Sequence, residues 1–262
     1  MTLLKHEIKS NLKALLIWAG CVGFGCLGCL LLFDGIRDAM EPMAEVYGEM
    51  GAFSAALGLD KLNVADIEGY FATEIALIFA VGGAMFAAMT GAAALSKEEE
   101  GHTAEFLYTL PVDRLFVVLW KYAAMVVLIV LFQIICILCI LAGFAGVGEM
   151  PDAGSLVLFC GTQLLMQLEV GSVCFFVSSL SGKKQIGAAV GLSVLLYAAD
   201  VMCRVVPDLE ALKYITPFYF SNAADIFVNG RVERGPALTG MLVLVISGCL
   251  AAVISQKRDF SA

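Results

Sequence analysis

Charge is scarce in this chain. Only 15% of its 262 residues are Asp, Glu, Lys or Arg, against about 25% in an average soluble domain. A soluble fold of this length has too little interior to hide a sequence that is 60% apolar, so lipid is the solvent for much of it. The net charge of −8 gives no basic patch for nucleic acid, which is not expected as a partner. Histidine is almost missing, with only His6 and His102, so a metal site is not expected. No H-E-x-x-H, G-x-S-x-G or G-x-x-x-x-G-K-[ST] occurs, so the chain has no phosphate-cradling loop of its own. The nine cysteines are odd in number and lie nearly all in apolar runs, which excludes a disulfide framework. Cys26 and Cys29 form a C-x-x-C that reads as small residues packing in a helix.

What is present is six apolar stretches: Ala14 to Phe33, Tyr70 to Leu95, Leu115 to Phe144, Ser155 to Leu180, Ile186 to Met202, and Ala237 to Ser255. Each approaches or exceeds the ~20 residues that a helix needs to cross a ~30 Å hydrocarbon core. The third is long enough to tilt or to project beyond it. Only Ser181 to Gln185 separates the fourth from the fifth, which predicts a tight helical hairpin. No internal repeat, low-complexity tract or separate soluble domain interrupts the pattern. The expectation is an all-α integral membrane protein, residues 1–262 forming one transmembrane domain.

Lys and Arg placement orients the spans. Lys5, Lys9, Lys13, Lys97, Arg114, Lys121, Lys183, Lys184, Lys257 and Arg258 fall on one side, ten basic residues in short segments. Arg37, Lys61, Arg204, Lys213, Arg231 and Arg234, six in all, are spread over much more chain on the other. The first side is therefore expected to be cytoplasmic, with both termini there. The first run is of full span length and lacks a clear cleavage site, so it is read as an uncleaved helix rather than a signal peptide. Before it, Leu4, Ile8 and Leu12 form one i, i+4 row and Lys5, Lys9 and Lys13 the next. Those rows suit a short helix lying in the headgroup region. Asp34 to Gly69 and Arg204 to Pro236 are expected as long outer segments, and the aromatics of Tyr214 to Phe220 suit a membrane boundary.

Between the second and third spans, Ser96 to Lys121 reads SKEEEGHTAEFLYTLPVDRLFVVLWK. Thr103 to Leu110 can form a short helix exposing Phe106, Leu107 and Leu110 along one side, and Pro111 ends it. Such an element suits docking of a soluble partner. The segment resembles the signature of ABC-type-2 transporter permeases, E-x-x-x-G-T-x-E-x-L-x-x-x-P-v-x-R. Glu98 or Glu99, Gly101, Thr103, Glu105, Leu107, Pro111, Val112 and Arg114 match, with His102 inserted after Gly101. Ile215 to Phe220 and the ending Lys257-Arg258-Asp259-Phe260 are similar to two further stretches of that family. The resemblance covers the whole chain. It implies a cytoplasmic coupling helix held in a groove of a separate ABC ATP-binding subunit, which binds the ATP and Mg²⁺. It also implies a second permease, identical or homologous, and residence in the cell membrane of a prokaryote. Export of peptides, lipids or drugs, or self-protection against an antimicrobial peptide, is the activity that the family suggests.

Three acids lie within apolar runs: Glu74, Glu169 and Asp200. Ionisable groups there are costly and become functional candidates. Glu74 and Asp200 lie near outer ends, within reach of headgroup water. Glu169 sits mid-span and shares a face with Thr162 and Ser172, a strip suited either to structural hydrogen bonding or to a translocation path. Gly187 and Gly191 form G-x-x-x-G, while Gly82, Gly83, Ala87 and Gly91 line the second span, in the manner of close helix contacts. An intramembrane protease or lipid hydrolase, or a non-catalytic sensor or scaffold, stands as the alternative. Copurification of an ATPase separates the permease from both.

Overall fold

The computed structural model describes residues 2–48, 51, 54, 59, 61–101 and 113–257. Among them there is no strand, and six helices are long and apolar enough to cross a membrane. These are α1 (Thr2–Gly48), α2 (Ile67–Ala94), α4 (Arg114–Val147), α5 (Ala153–Leu180), α6 (Ile186–Val205) and α9 (Arg234–Lys257). A five-residue helix, α3 (Ser96–Glu100), follows α2. A 3₁₀ segment (Pro207–Tyr214), α7 (Pro217–Phe220) and α8 (Ala223–Asn229) connect α6 to α9.

Local chemistry sets several boundaries. Asp113 begins α4 by accepting from the Leu115 N–H, Asp152 begins α5 by accepting from Ser155, and Asn222 begins α8 by accepting from Asp225. Each satisfies an N–H that the first turn leaves without a partner. Gly148 ends α4 with φ +80°, where a side chain would be strained. Phe71–Ile75 is a π-helical turn inside α2.

The first helix departs most from expectation. It runs unbroken through residues 2–48, with Pro42 inside its last two turns. The stretch expected as a separate interfacial helix is therefore the opening three turns of α1, and much of the expected outer loop is its far end. Packing explains the extension, because Ile36 and Met40 lie against the main core and Arg37 pairs with Glu149 at 2.8 Å. Acidic residues there mark a helix leaving the lipid, not a break in it.

α1 and α4 form the principal seam. Leu15, Ala19, Val22, Cys26, Leu30 and Phe33 are buried at spacings of three and four, facing Phe132, Cys136, Ile140 and Phe144. Helix neighbours three and four apart share a face, which gives a continuous apolar stripe. A side chain at Gly143 would come within 2.6 Å of Leu30, so glycine is what lets the helices close there. α2 packs equally tightly on α5, with Gly91 against the Gly171 carbonyl and Gly83 against Gln167. By contrast, nothing among the described residues lies within 4 Å of a Cβ at Gly187 or Gly191, so that G-x-x-x-G makes no close helix contact among them.

The connection before α9 folds back into the bundle. Phe218 and Phe220 are buried against α5 and α6 residues, and Thr216 donates to the Leu196 carbonyl at 2.7 Å. Of the aromatics expected at a membrane boundary, Tyr214 is exposed while these two are core residues. The outer surfaces of α6 and α9 carry exposed Leu195, Met202, Leu238, Leu242 and Val245, which suits helices with lipid or a partner beside them.

Candidate functional site

The junction where α2 passes into α3 is tied by several polar contacts. The Ser178 hydroxyl of α5 accepts from the Leu95 and Ser96 N–H groups, at 3.1 Å each. Ser96 in turn donates to the Ala92 carbonyl at 2.9 Å. This covers the backbone groups exposed where α2 breaks.

Four charges interlock beside it. Lys121 of α4 is only 2% exposed, and its ammonium contacts Glu98 at 2.5 Å, Glu7 at 3.2 Å and the Ala94 carbonyl at 2.8 Å. Lys97 pairs with the other oxygen of Glu7 and reaches the Ser10 hydroxyl at 3.3 Å. Two carboxylates thus oppose two ammonium groups, so burial leaves little net charge uncompensated. Glu100 extends the ties to the α5–α6 turn, accepting from the Lys184 N–H at 2.7 Å. Six elements meet here: α1, α2, α3, α4, α5 and the 181–185 turn.

Several expected contact residues sit at this junction or beside it. Glu98 is within the charge cluster, the Gly101 N–H closes α3 on the Lys97 carbonyl at 3.0 Å, and Arg114 is exposed at the start of α4. Glu99 lies in α3, though its side chain is not among those described. Thr103, Glu105, Phe106, Leu107, Leu110 and Pro111 lie outside the described residues, as does the coupling helix expected there. Sequence reasoning missed Glu7, Lys97 and Lys121 as one unit. A signal existed, because Lys121 lies seven residues inside an apolar helix and Glu7 is the one acid among the basic residues before the first span.

The intramembrane polar residues divide differently from expectation. Glu169 is 5% exposed, and its Oε2 has no hydrogen-bond partner among the described residues. It points at α9, where a Cβ at Gly240 would come within 2.5 Å of that oxygen. Thr162 donates instead to the Phe159 carbonyl, while Ser172 bonds to the Leu168 carbonyl and the Tyr122 hydroxyl at 2.7 and 2.8 Å. The three share burial but no mutual hydrogen bond among the described residues. Glutamines, which sequence reasoning passed over, complete the polar interior. Gln163 donates to the Ser221 carbonyl at 2.9 Å, and Gln167 is fully buried with both amide atoms unsatisfied.

Asp200 does not reach water, as its place near a span end suggested. It is 3% exposed and accepts from Arg204 at 3.0 Å, one helical turn on. Arg204 also pairs with Asp225 of α8 at 2.6 Å and lies 4.7 Å above the Tyr219 ring. Lys61 closes the group on Asp225 at 2.6 Å. Burial pushes the Asp225 carboxyl up, but the Arg204 and Lys61 charges outweigh it and hold the group below its usual range. Glu74 is exposed, within the π-helical turn of α2. Among the described residues no His, Cys, Asp or Glu grouping is placed to hold a metal ion.

Six apolar spans with a polar interior and charge clusters at both ends define a multi-pass membrane protein, not a soluble fold with an embedded anchor. The chain belongs to the ABC-2 family of transporter proteins, whose family model matches residues 1–255. It is thus the membrane component of a transport system. No curated protein sequence matches the chain.

Proposed function

We propose that this chain is the permease subunit of an ABC exporter in the cytoplasmic membrane of a prokaryote. It works with a separate ATP-binding subunit, which holds ATP and Mg²⁺, and with a second permease copy or a homologue. The expected cargo is a peptide, lipid or drug-like molecule, including an antimicrobial peptide in a self-protection system. Ten basic residues against six put Lys97 on the cytoplasmic side, and six crossings return the chain to that side.

One observation carries the reading. The segment from Ser96 to Gly101 leads directly into the matched coupling motif, and it is bonded to α1, α4, α5 and the 181–185 turn. A displacement imposed by an ATPase on residues 102–112 would reach three spans and the 181–185 turn through those bonds, as a switch between two packed arrangements requires. Glu99, Glu105, Phe106, Leu107 and Leu110 are the expected ATPase contacts, with Gly101 and Pro111 shaping the backbone. Glu169, unpartnered against α9, is the leading pathway candidate.

Burying two or three apolar side chains in the ATPase groove contributes several kcal/mol, at ~25 cal/mol per Å², before the costs of association. Phe106→Ala with Leu107→Ala should weaken ATPase capture and uncouple hydrolysis from transport, while insertion stays normal. Met43→Ala with Val46→Ala, far from this face, is the control. Wild-type ATPase stoichiometry and normal transport in the first double variant would refute the assignment.

A further inference from the structure

A groove of about 520 Å³ opens beside the α2–α3 junction, between the start of α1, the end of α2 and the start of α6. That is within the roughly 300–1,000 Å³ range of small-molecule sites. Its lining is mixed: Ser10, Lys97 and Lys184 are polar, while buried Phe86, half-buried Met89 and exposed Ile186 are apolar. Lys5, Lys9 and Lys13 form the row beside Ser10 on α1; all three are exposed and make no ion pair among the described residues. Acids are present too: Glu98 lines the groove, and Glu7 and Glu100 lie next to it, but each is already paired with Lys97, Lys121 or Lys184. The charge left uncommitted beside the groove, that of Lys5, Lys9 and Lys13, is therefore positive.

The α1 surface continues this polarity along the membrane normal. From Ser10, steps of seven residues give Ile17, Phe24 and Leu31, all exposed, at 65%, 68% and 52%. Steps of seven stay on one helix face. At 1.5 Å per residue, Ile17 and Phe24 lie about 10 and 21 Å below Ser10. One leaflet of the hydrocarbon core is about 15 Å deep. A polar, cationic head site thus stands above an apolar track that is at least one leaflet deep.

We propose that this groove seats one anionic phospholipid. Its phosphate lies beside Lys9 and Lys13, with Lys184 shared between it and Glu100, and an acyl chain runs over Met89 and Ile186 onto Ile17 and Phe24. Phospholipid is favoured over a soluble anion because the apolar lining and track would give a soluble anion nothing to bury. The assignment does not rest on any ATPase contact.

Native mass spectrometry of the full chain in detergent, with phosphatidylglycerol or phosphatidylcholine added, tests it. The wild type should retain a single phosphatidylglycerol with about tenfold preference. Lys9→Gln with Lys13→Gln and Lys184→Gln, all surface changes, should reduce that preference to about twofold. Ala14→Trp, which fills the groove with the lysines intact, should abolish retention of either lipid. Wild-type retention in the lysine variant overturns the proposal whether or not Ala14→Trp folds. So does an equal loss from Arg231→Gln with Arg234→Gln at the opposite end, since that would reflect total charge alone. Displacement of the lipid by millimolar inorganic phosphate would show a plain anion site. Cross-linking between copies through Ser10→Cys, in a background lacking the native cysteines, would show a second copy in the groove. Either result overturns the lipid assignment.

Discussion

Lys121 shows how one residue can be misread when only its charge is counted. As a basic residue near the start of a span it served to orient the chain, yet its ammonium is buried among Glu7, Glu98 and the Ala94 carbonyl. Removing one partner of a buried ion group costs about 3–5 kcal/mol, because the remaining charge stays desolvated. Lys121→Met should therefore lower the thermal unfolding temperature of the purified subunit markedly. Adding Glu7→Gln should recover part of the loss, since one stranded carboxylate becomes neutral. Strictly additive losses in the double variant would show that the two residues do not share a cluster. Gln163 and Gln167 were equally legible, as polar residues at i and i+4 within an apolar run, but amides draw less notice than charges. Glu169 was found for the opposite reason: a lone acid at mid-span stands out in any sequence.

At the scale of elements, composition located the five later spans within a few residues of where they lie. Asp113, Asp152 and Gly148 explain those ends through capping. Composition failed at α1, because hydropathy reports the lipid boundary and says nothing about where a helix stops. It failed again at α7, where Phe218 and Phe220 look the same in sequence whether they face headgroups or core. The short helices before α9 depend on the charge group linking Lys61, Asp225 and Arg204. With its carboxyl held below the usual range, Asp225 contributes stability that is fully present above the ordinary aspartate value near 3.9. That contribution fades as pH falls through the lowered folded value. Compared with Asp225→Asn by thermal melting, the wild type should be more stable at pH 6, and the gap should narrow below about pH 4. A gap that stays constant down to pH 3 would show that the ion pairs add nothing.

For the whole molecule, six crossings were evident from apolar runs alone, and the family from a motif largely outside the described residues. The pairing of α1 with α4 and of α2 with α5 was not evident, because steric fit at Gly143 and Gly91 depends on which helices meet. Sidedness is a property of the entire chain and calls for a test at that scale. In a background lacking the native cysteines, Asp60→Cys should react with an impermeant maleimide from outside the cell, and Lys183→Cys only after the membrane is opened. Labelling of position 60 from the cytoplasmic side alone would invert the arrangement.

The unbroken first helix makes α1 a rigid lever. Its 47 residues span about 70 Å at 1.5 Å per residue, more than twice the ~30 Å hydrocarbon core. One end is joined through Glu7 to Lys97 and Lys121, and the other through Arg37 to Glu149. A 10° rocking of such a rod about its centre carries each tip about 6 Å in opposite directions, roughly one helical turn. Motion at the Glu7 end would therefore appear, reversed, at the Arg37 end, carried by the backbone of a single helix.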